Sequence, residues 1–200
     1  MAPTSNQAAT TAGRTGGTQT YCTFRLRSGL FGADTRLIKE VTALPPVTPI
    51  PHAPAAVRGC VNLRGHVVLV LDLNCLFERQ PTALSPECRL IVFKPEVGES
   101  LGALVERVGD IVELPSAQIE TRRAGGPASG SLDASRPEQD LLWGVGKLAG
   151  ELLMILDARQ LRPCLEHAVA CRGQAPITGR DEVASGAGSI DLNSSKETSL

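Results

Sequence analysis

Two segments of this chain, 85 positions apart, share one pattern, and this repetition limits the possible folds more than any other feature. Residues Gly59–Asp72 read GCVNLRGHVVLVLD, and residues Gly144–Asp157 read GVGKLAGELLMILD. Each begins with Gly, has a second Gly six residues later and continues through an apolar run to Leu-Asp. Such a repeat indicates a duplicated structural unit. Each copy predicts a β-hairpin, with turns at Arg64-Gly65 and Ala149-Gly150.

A weaker echo lies upstream at an offset of 70 positions, where Phe31-Gly32-Ala33 matches Leu101-Gly102-Ala103. The offset grows to 85 because the second copy holds an insertion, for which the candidate is the Gly-, Ser-, Arg- and Pro-rich stretch 121–139. A surface loop absorbs such length at little entropic cost. The alternative is that short apolar hairpins resemble one another by chance. Both echoes keep their order along the chain, which favours duplication.

The composition excludes several classes of protein. Aromatic residues make up 3% of the chain and hydrophobic residues 42%, so Val, Leu, Ile and Ala are expected to build the core. Twenty basic side chains face twenty-one acidic ones, so nucleic acid or an anionic membrane is not the default partner. No apolar stretch reaches the length of a membrane span, and no direct membrane insertion is expected. Six cysteines without a C-x-x-C spacing predict buried free thiols in a reducing cytoplasm.

The order of polar, proline-rich and short apolar segments along the chain predicts a mostly β protein. Residues 1–19 are polar and read as a disordered arm, 20–167 as the folded region and 168–200 as a disordered tail. Three prolines between Pro49 and Pro54 predict a stiff surface connector. Two runs of about five short strands, with short helices, predict two tandem five-stranded barrels packed side by side.

Nothing in the chain assembles a catalytic site. The segment Gly144–Lys147 lacks the first Gly and the Ser or Thr of a phosphate loop. The three histidines have no zinc-ligand spacing, and Cys60 with His66 lacks an orienting third group. Asp72 and Asp157 are predicted to cap the turns after their strands. No catalytic residue, metal site or cofactor is predicted, and a binding role is favoured, with Arg64 as an anchor because a rigid turn projects its side chain.

The stretch Pro51–Leu73 resembles the CheW family, the coupling proteins of bacterial chemotaxis. It holds a proline-bearing lead, a Gly, then Asn62-Leu63-Arg64-Gly65 and an apolar strand that ends in Asp-Leu. Phe24-x-Leu26, Phe31-Gly32, Ile38-x-Glu40-Val41 and the late hairpin agree with the same family pattern. The resemblance covers residues 20–167. Departures are Glu106, where many members have Asp, the insertion, and the tail after residue 170.

The resemblance implies two interleaved SH3-like barrels and no enzyme activity. It implies a cytoplasmic adaptor at the inner face of the membrane that joins the tips of methyl-accepting chemoreceptors to the regulatory domain of a CheA-type histidine kinase. Family members hold receptor tips in the groove between barrels and the kinase at barrel ends. Carried over by position, the expected partner-binding residues are Ile38, Glu40, Gly59, Asn62, Arg64 and Gly65, with a mainly structural role as the alternative for Asn62.

Two other interpretations remain open from the residues. One keeps the fold and places the chain in a pilus-motility or surface-sensing pathway. The other is an enzyme that uses a cysteine thiolate or a metal ion, which bound metal or a thiol of low pKa would reveal.

Overall fold

The computed structural model describes residues 17–121, 141–148 and 150–172, without the side chains of residues 171 and 172. The predicted insertion lies outside the described residues except for Thr121, as does Ala149 of the second turn. Most of the predicted arm and tail lies outside them as well.

The described residues form eleven β-strands and two α-helices. The strands are β1 (Thr18–Leu26), β2 (Gly29–Asp34), β3 (Ile38–Ala43), β4 (Val57–Leu63), β5 (His66–Asp72), β6 (Arg89–Phe93), β7 (Leu101–Val105), β8 (Arg107–Pro115), β9 (Ile119–Thr121), β10 (Leu142–Leu148) and β11 (Glu151–Leu156). The helices are α1 (Leu73–Glu78) and α2 (Leu161–Arg172), and short 3-10 turns occupy Thr35–Leu37, Ser116–Gln118 and Ala158–Gln160. None of the helices that the structure describes is both long and apolar enough to cross a membrane.

The strands form two sheets, which confirms the mostly β prediction. One sheet has six strands in the order β8-β1-β2-β11-β10-β9, and the other has five in the order β3-β6-β7-β5-β4. The six-stranded sheet exceeds the expected five because β9 pairs with β10. At the matching place in the five-stranded sheet, Thr48 forms only an isolated bridge to Cys60, since the proline-rich connector that follows cannot extend a strand.

The two sequence copies do not each form a sheet of their own. Strand β5 of the first copy pairs in parallel with β7 of the second, where Leu69 lies opposite Leu101. Strand β11 of the second copy pairs in parallel with β2 of the first, where Met154 lies opposite Phe31. The two strand pairs are equivalent, because β11 repeats β5 at an offset of 85 positions and β7 repeats β2 at an offset of 70. The copies therefore exchange strands, and each exchange covers a strand edge that would otherwise be unpaired.

The main core joins both sheets. It contains Phe24 and Phe31 of the six-stranded sheet together with Leu71 and Ile91 of the five-stranded sheet. The scarce aromatic side chains are concentrated there, because the rings of Phe24 and Phe31 stack with centroids 5.9 Å apart and Phe77 lies 5.3 Å from Phe31. Most of the buried core is aliphatic, as expected, and a few rings of large buried area fill the junction.

The folded region is longer than expected at both ends. Strand β1 begins at Thr18, inside the predicted arm, because Thr18 pairs with Pro115 of β8 and the Gly17 carbonyl accepts a hydrogen bond from Ser116 N at 3.1 Å. Helix α2 continues to Arg172, five residues beyond the predicted boundary at residue 167.

Candidate functional site

The first hairpin ends in a tight two-residue turn. Leu63 lies opposite His66, and the two residues between them have positive φ, 52° for Arg64 and 87° for Gly65. This is the geometry of a primed turn, whose twist matches that of the flanking strands. Gly adopts it freely, whereas a residue with a Cβ is destabilised there by roughly 1 kcal/mol. The turn thus holds an arginine where the backbone favours a smaller residue.

Asn62 stabilises this turn directly. Its Oδ1 accepts a hydrogen bond from the backbone N–H of Gly65 at 2.8 Å. The side chain thereby satisfies a turn donor and holds the strand ends together. The structure gives Asn62 a turn-stabilising role, in agreement with the structural alternative, while its contact with a partner stays a prediction.

The fold brings two of the predicted residues together from separate segments. Arg64 Nη2 lies 3.4 Å from Glu40 Oε2 on β3, and the Arg64 side chain is 86% exposed while that of Glu40 is 29% exposed. We call these two residues the tip ion pair. An ion pair this exposed contributes at most about 1 kcal/mol to folding. Both groups therefore remain available to a partner without a large cost to the fold.

Ile38 and Gly59 lie deeper than the tip ion pair. Ile38 is half-buried, lies opposite Phe93 of β6 and packs against the main core. Gly59 is buried with a φ of 142°, and a Cβ there would overlap the Thr48 carbonyl oxygen. The structure therefore explains Gly59 by close backbone packing, and its contact with a partner stays a prediction.

A β-bulge in the first hairpin redirects the side chain of Arg58, a residue that was not among the predicted site residues. Val57 lies opposite Leu71 and Gly59 opposite Val70, so Arg58 is the extra residue of the bulge. Bulges of this kind redirect a side chain relative to the strand. The Gly directly after an arginine inside an apolar strand was the available signal.

Both strand-end aspartates cap the turns that follow them, as predicted. Asp72 Oδ1 accepts a hydrogen bond from Cys75 N at 3.2 Å, and Asp157 Oδ1 accepts one from Arg159 N at 3.1 Å. Asp72 does more, because it is fully buried and also accepts from Thr82 N at 2.8 Å and from Thr82 Oγ1 at 2.6 Å. It ties the loop that precedes β6 to the end of β5.

This buried polar network continues to the junction of the sheets. Asn74 Nδ2 donates to Thr82 Oγ1 at 3.0 Å and to Glu106 Oε1 at 2.8 Å, and Asn74 Oδ1 accepts from Arg27 N at 3.1 Å. Glu106 lies between β7 of one sheet and β8 of the other. Glu106, where many family members have Asp, therefore has a structural role, since its carboxylate accepts a hydrogen bond from the fully buried side-chain amide of Asn74.

Each sheet exposes apolar side chains at matching positions. Val41 and Val67 of the five-stranded sheet are 39% and 63% exposed. Their repeat counterparts Ile111 and Leu152 in the six-stranded sheet are 67% and 58% exposed. Single exposed apolar residues are common on protein surfaces, but these four occupy equivalent places in the two sheets.

The thiols are poorly suited to nucleophilic chemistry. Cys22, Cys75 and Cys88 are buried and form no disulfide, Cys164 is also buried, and Cys60 is half-buried. Burial raises the pKa of the Cys22 thiol, and burial followed by the Asp72 charge raises that of Cys75, so both hold less thiolate than an ordinary cysteine. Cys60 and His66 lie three residue pairs apart on the hairpin, roughly 10 Å, which is too far for proton transfer. Within the described ranges, no group of three or more metal-ligating side chains converges.

Comparison with known proteins gives consistent matches over most of the chain. The family model described as CheW-like domain matches residues 20–163. A chemotaxis protein CheW from Rhizobium meliloti (strain 1021) is 27% identical over 157 residues, which cover 78% of this chain and 95% of that protein. A chemotaxis protein CheW from Klebsiella aerogenes is 29% identical over 159 residues, or 79% and 89% of the two chains.

Among solved structures, the scaffolding protein TtCheW from Thermoanaerobacter tengcongensis superposes with a TM-score of 0.58. The two chains are 23% identical, and the match covers 70% of this chain and 84% of that one. At this identity the likeness establishes the fold alone. Together with the family match, it confirms the resemblance seen in the Asn-Leu-Arg-Gly stretch.

Proposed function

Because the chain belongs to the CheW-like domain family, we propose that it is a non-enzymatic cytoplasmic adaptor of a chemosensory array. In this role it couples the tips of methyl-accepting chemoreceptors to the regulatory domain of a CheA-type histidine kinase. The two curated relatives are chemotaxis proteins, and the matched region spans nearly all of their length. The buried thiols with raised pKa values agree with a protein that performs no chemistry of its own.

The observation that carries this proposal is the tip ion pair on its strained turn. Arg64 holds a positive φ and an exposed side chain, and its contact with Glu40 adds little stability. A residue that strains the backbone and adds little stability through its own contacts is explained by a contact outside the chain. Arginine on a rigid support is a frequent anchor of protein interfaces, because little side-chain order is lost on binding.

Two contact surfaces suit an adaptor that holds two partners. The five-stranded sheet exposes Val41 and Val67, and the same sheet carries the tip ion pair. The six-stranded sheet presents Ile111 and Leu152 at the equivalent places. One core runs between the sheets, so partners docked on either sheet contact one continuous body. Coupling then requires that these contacts differ in free energy between the two signalling states.

The test measures binding of the full chain to a kinase regulatory domain and to a receptor tip separately, by titration calorimetry. We expect both to bind, and Arg64→Glu to weaken at least one of them roughly tenfold or more. The matched control is Arg162→Glu, which reverses an arginine in a surface ion pair on α2, 2.9 Å from Glu166, and should leave both affinities unchanged. Thermal unfolding of both variants should stay close to that of the natural chain.

The charge-swapped double variant separates two explanations of an Arg64 effect. Arg64→Glu with Glu40→Arg restores the internal ion pair but reverses the charges offered to a partner. Binding that stays weak supports direct contact by the tip ion pair. Recovered binding would mean that Arg64 acts only by positioning Glu40 and β3, and a chain that binds neither partner would refute the adaptor role.

A further inference from the structure

A second candidate surface lies beside the bulge at Arg58. A groove of about 980 Å³ runs between the end of β3, the proline-rich connector and the loop before β6. Its walls are mainly apolar and include Pro45, Pro46, Pro49, Pro86 and Leu84. Leu84 is 55% exposed, so its side chain can be covered by a ligand without unfolding the loop.

Arg58 is the one charged side chain among the described residues that line the groove. Its side chain is 30% exposed, and Nη1 lies 3.8 Å from Asp72 Oδ2. That oxygen already accepts a hydrogen bond from Thr82 N at 2.8 Å, and its ion pair with Arg58 is longer than hydrogen-bond distance. A guanidinium has five N–H donors in a planar fork that fits a carboxylate. The bulge therefore presents a half-buried cation with donors free for an anionic group.

The walls of the groove are held before any ligand arrives. The loop that carries Leu84 is tied to Asp72 through both Thr82 N and Thr82 Oγ1, and Cys88 Sγ accepts a hydrogen bond from Ser85 N at 3.3 Å. The prolines opposite have a fixed φ and no N–H. Preorganised walls reduce the entropy that binding must overcome.

The backbone around the groove determines how a ligand can bind there. Thr48 and Cys60 exchange backbone hydrogen bonds of 2.8 Å in both directions, which occupies the edge of β4 at this place. Prolines cannot donate to an added strand. A ligand is therefore held by burial of its side chains against the apolar walls and by one charged contact at Arg58.

We propose that this groove binds an extended segment of a partner protein in which apolar side chains flank a carboxylate. The carboxylate pairs with Arg58, and the apolar side chains cover Leu84 and the prolines. Charge complementarity selects this ligand, because apolar walls around a single half-buried cation favour a single anion. This proposal does not depend on the adaptor role, since none of its residues belongs to the tip ion pair.

Among the described residues, the matching place in the second copy holds a much smaller depression. Trp143 occupies the bulge position that matches Arg58, between Leu142 opposite Leu156 and Gly144 opposite Ile155. It lines a depression of only about 60 Å³ whose other walls include carboxylates, among them Asp34 and Asp157. The duplicated backbone therefore repeats the bulge and places different side chains there, Arg58 in one copy and Trp143 in the other.

The test selects peptides from a random displayed library on the immobilised full chain, with Leu84→Asp as the counter-selection. We expect enriched peptides to combine Asp or Glu with flanking apolar residues. Their synthetic forms should bind the natural chain and lose roughly tenfold or more in affinity to both Arg58→Gln and Leu84→Asp. Leu84→Asp changes an exposed side chain, so it keeps the test valid if Arg58→Gln disturbs Asp72, and circular dichroism checks both folds.

Two variants serve as controls, Arg64→Gln at the hairpin tip and Val169→Asp on exposed α2, and neither should change peptide affinity. The proposal would be overturned if peptides were enriched equally on the Leu84→Asp variant, or if the enriched peptides showed no preference for Asp or Glu. So would enrichment that appears only after residues 173–200 are deleted, because the groove would then be covered by the chain itself. Loss of self-association in Leu84→Asp by ultracentrifugation would assign the groove to a second copy instead.

Discussion

The two hairpins, β4–β5 and β10–β11, share one backbone and carry different polar side chains. Their registers agree pair by pair, including the bulge before Gly59 and before Gly144. The turn glycines Gly65 and Gly150 even have the same φ of 87°. The comparison shows that duplication preserved the positions that the backbone requires and left the tip and the bulge free to diverge.

The divergence concerns where each hairpin places its charge. In the second hairpin, Lys147 donates to Glu120 at 2.6 Å, so its charge is paired within the sheet. In the first hairpin, the matching Asn62 binds the turn backbone, and the charge sits further out on Arg64. The second copy therefore carries its paired charge on a strand, and the first copy carries it at the turn.

The glycines at the bulge should show the largest difference between the copies. Gly59→Ala combines a positive φ with overlap between the new Cβ and the Thr48 carbonyl oxygen, and should cost about 3 kcal/mol or more in the free energy of unfolding. At Gly144 a Cβ would lie 2.9 Å from the Glu120 carbonyl oxygen with no positive φ, so Gly144→Ala should cost about 1–2 kcal/mol. Urea unfolding measures both. Equal losses would contradict the different packing of the two bulges.

The strand-end aspartates should differ next. Asp72→Asn turns a fully buried acceptor with three short donors partly into a donor, and should cost about 2–4 kcal/mol. Asp157→Asn changes an exposed cap and should cost less than about 1 kcal/mol. Both values come from denaturant midpoints at neutral pH. An Asp157 loss as large as that of Asp72 would show that the second copy holds a polar network of its own.

The turn itself should separate stability from binding. Arg64→Asn creates Asn-Gly, the preferred pair for this turn, and should raise the free energy of unfolding by about 0.5–1 kcal/mol. The same change should weaken partner binding roughly tenfold. Arg64→Ala is the control, because it removes the charge without relieving the positive φ, and should weaken binding with no gain in stability. A destabilised Arg64→Asn would contradict the strain assigned to Arg64.

The smallest effect concerns the paired charge of the second hairpin. The hydrogen bond from Lys147, with its charge, lowers the pKa of Glu120. A lowered carboxyl pKa contributes stability that is present above the ordinary value and is lost as pH falls through the lowered one. Lys147→Met should raise the Glu120 pKa toward its ordinary value, as followed by carbon NMR of the side-chain carboxyl. Arg25→Met should instead release Glu151, whose pKa Arg25 lowers, and an unchanged Glu120 in Lys147→Met would disprove the pairing.

Local features of this protein are encoded by residues that lie near one another in the chain. The repeat predicted both hairpins, Arg64-Gly65 predicted the first turn, and the Leu-Asp endings predicted the caps at Asp72 and Asp157. Each of these depends on residues close together in the chain, where periodicity and turn preference act directly. The family resemblance then supplied the fold and the expected partner-binding residues.

Only the tertiary structure decided which distant groups meet. Exchange of the strand pairs β1–β2 and β6–β7 between the copies depends on which strand edges find partners, and the sequence does not specify partners for strand edges of equal apolar character. The contact of Arg64 with Glu40 and the hydrogen bond from Asn74 to Glu106 join residues of separate segments, and the bulge at Arg58 follows from the register of β4 and β5. Side chains far apart in the chain become neighbours through packing, and local pattern does not encode which ones will.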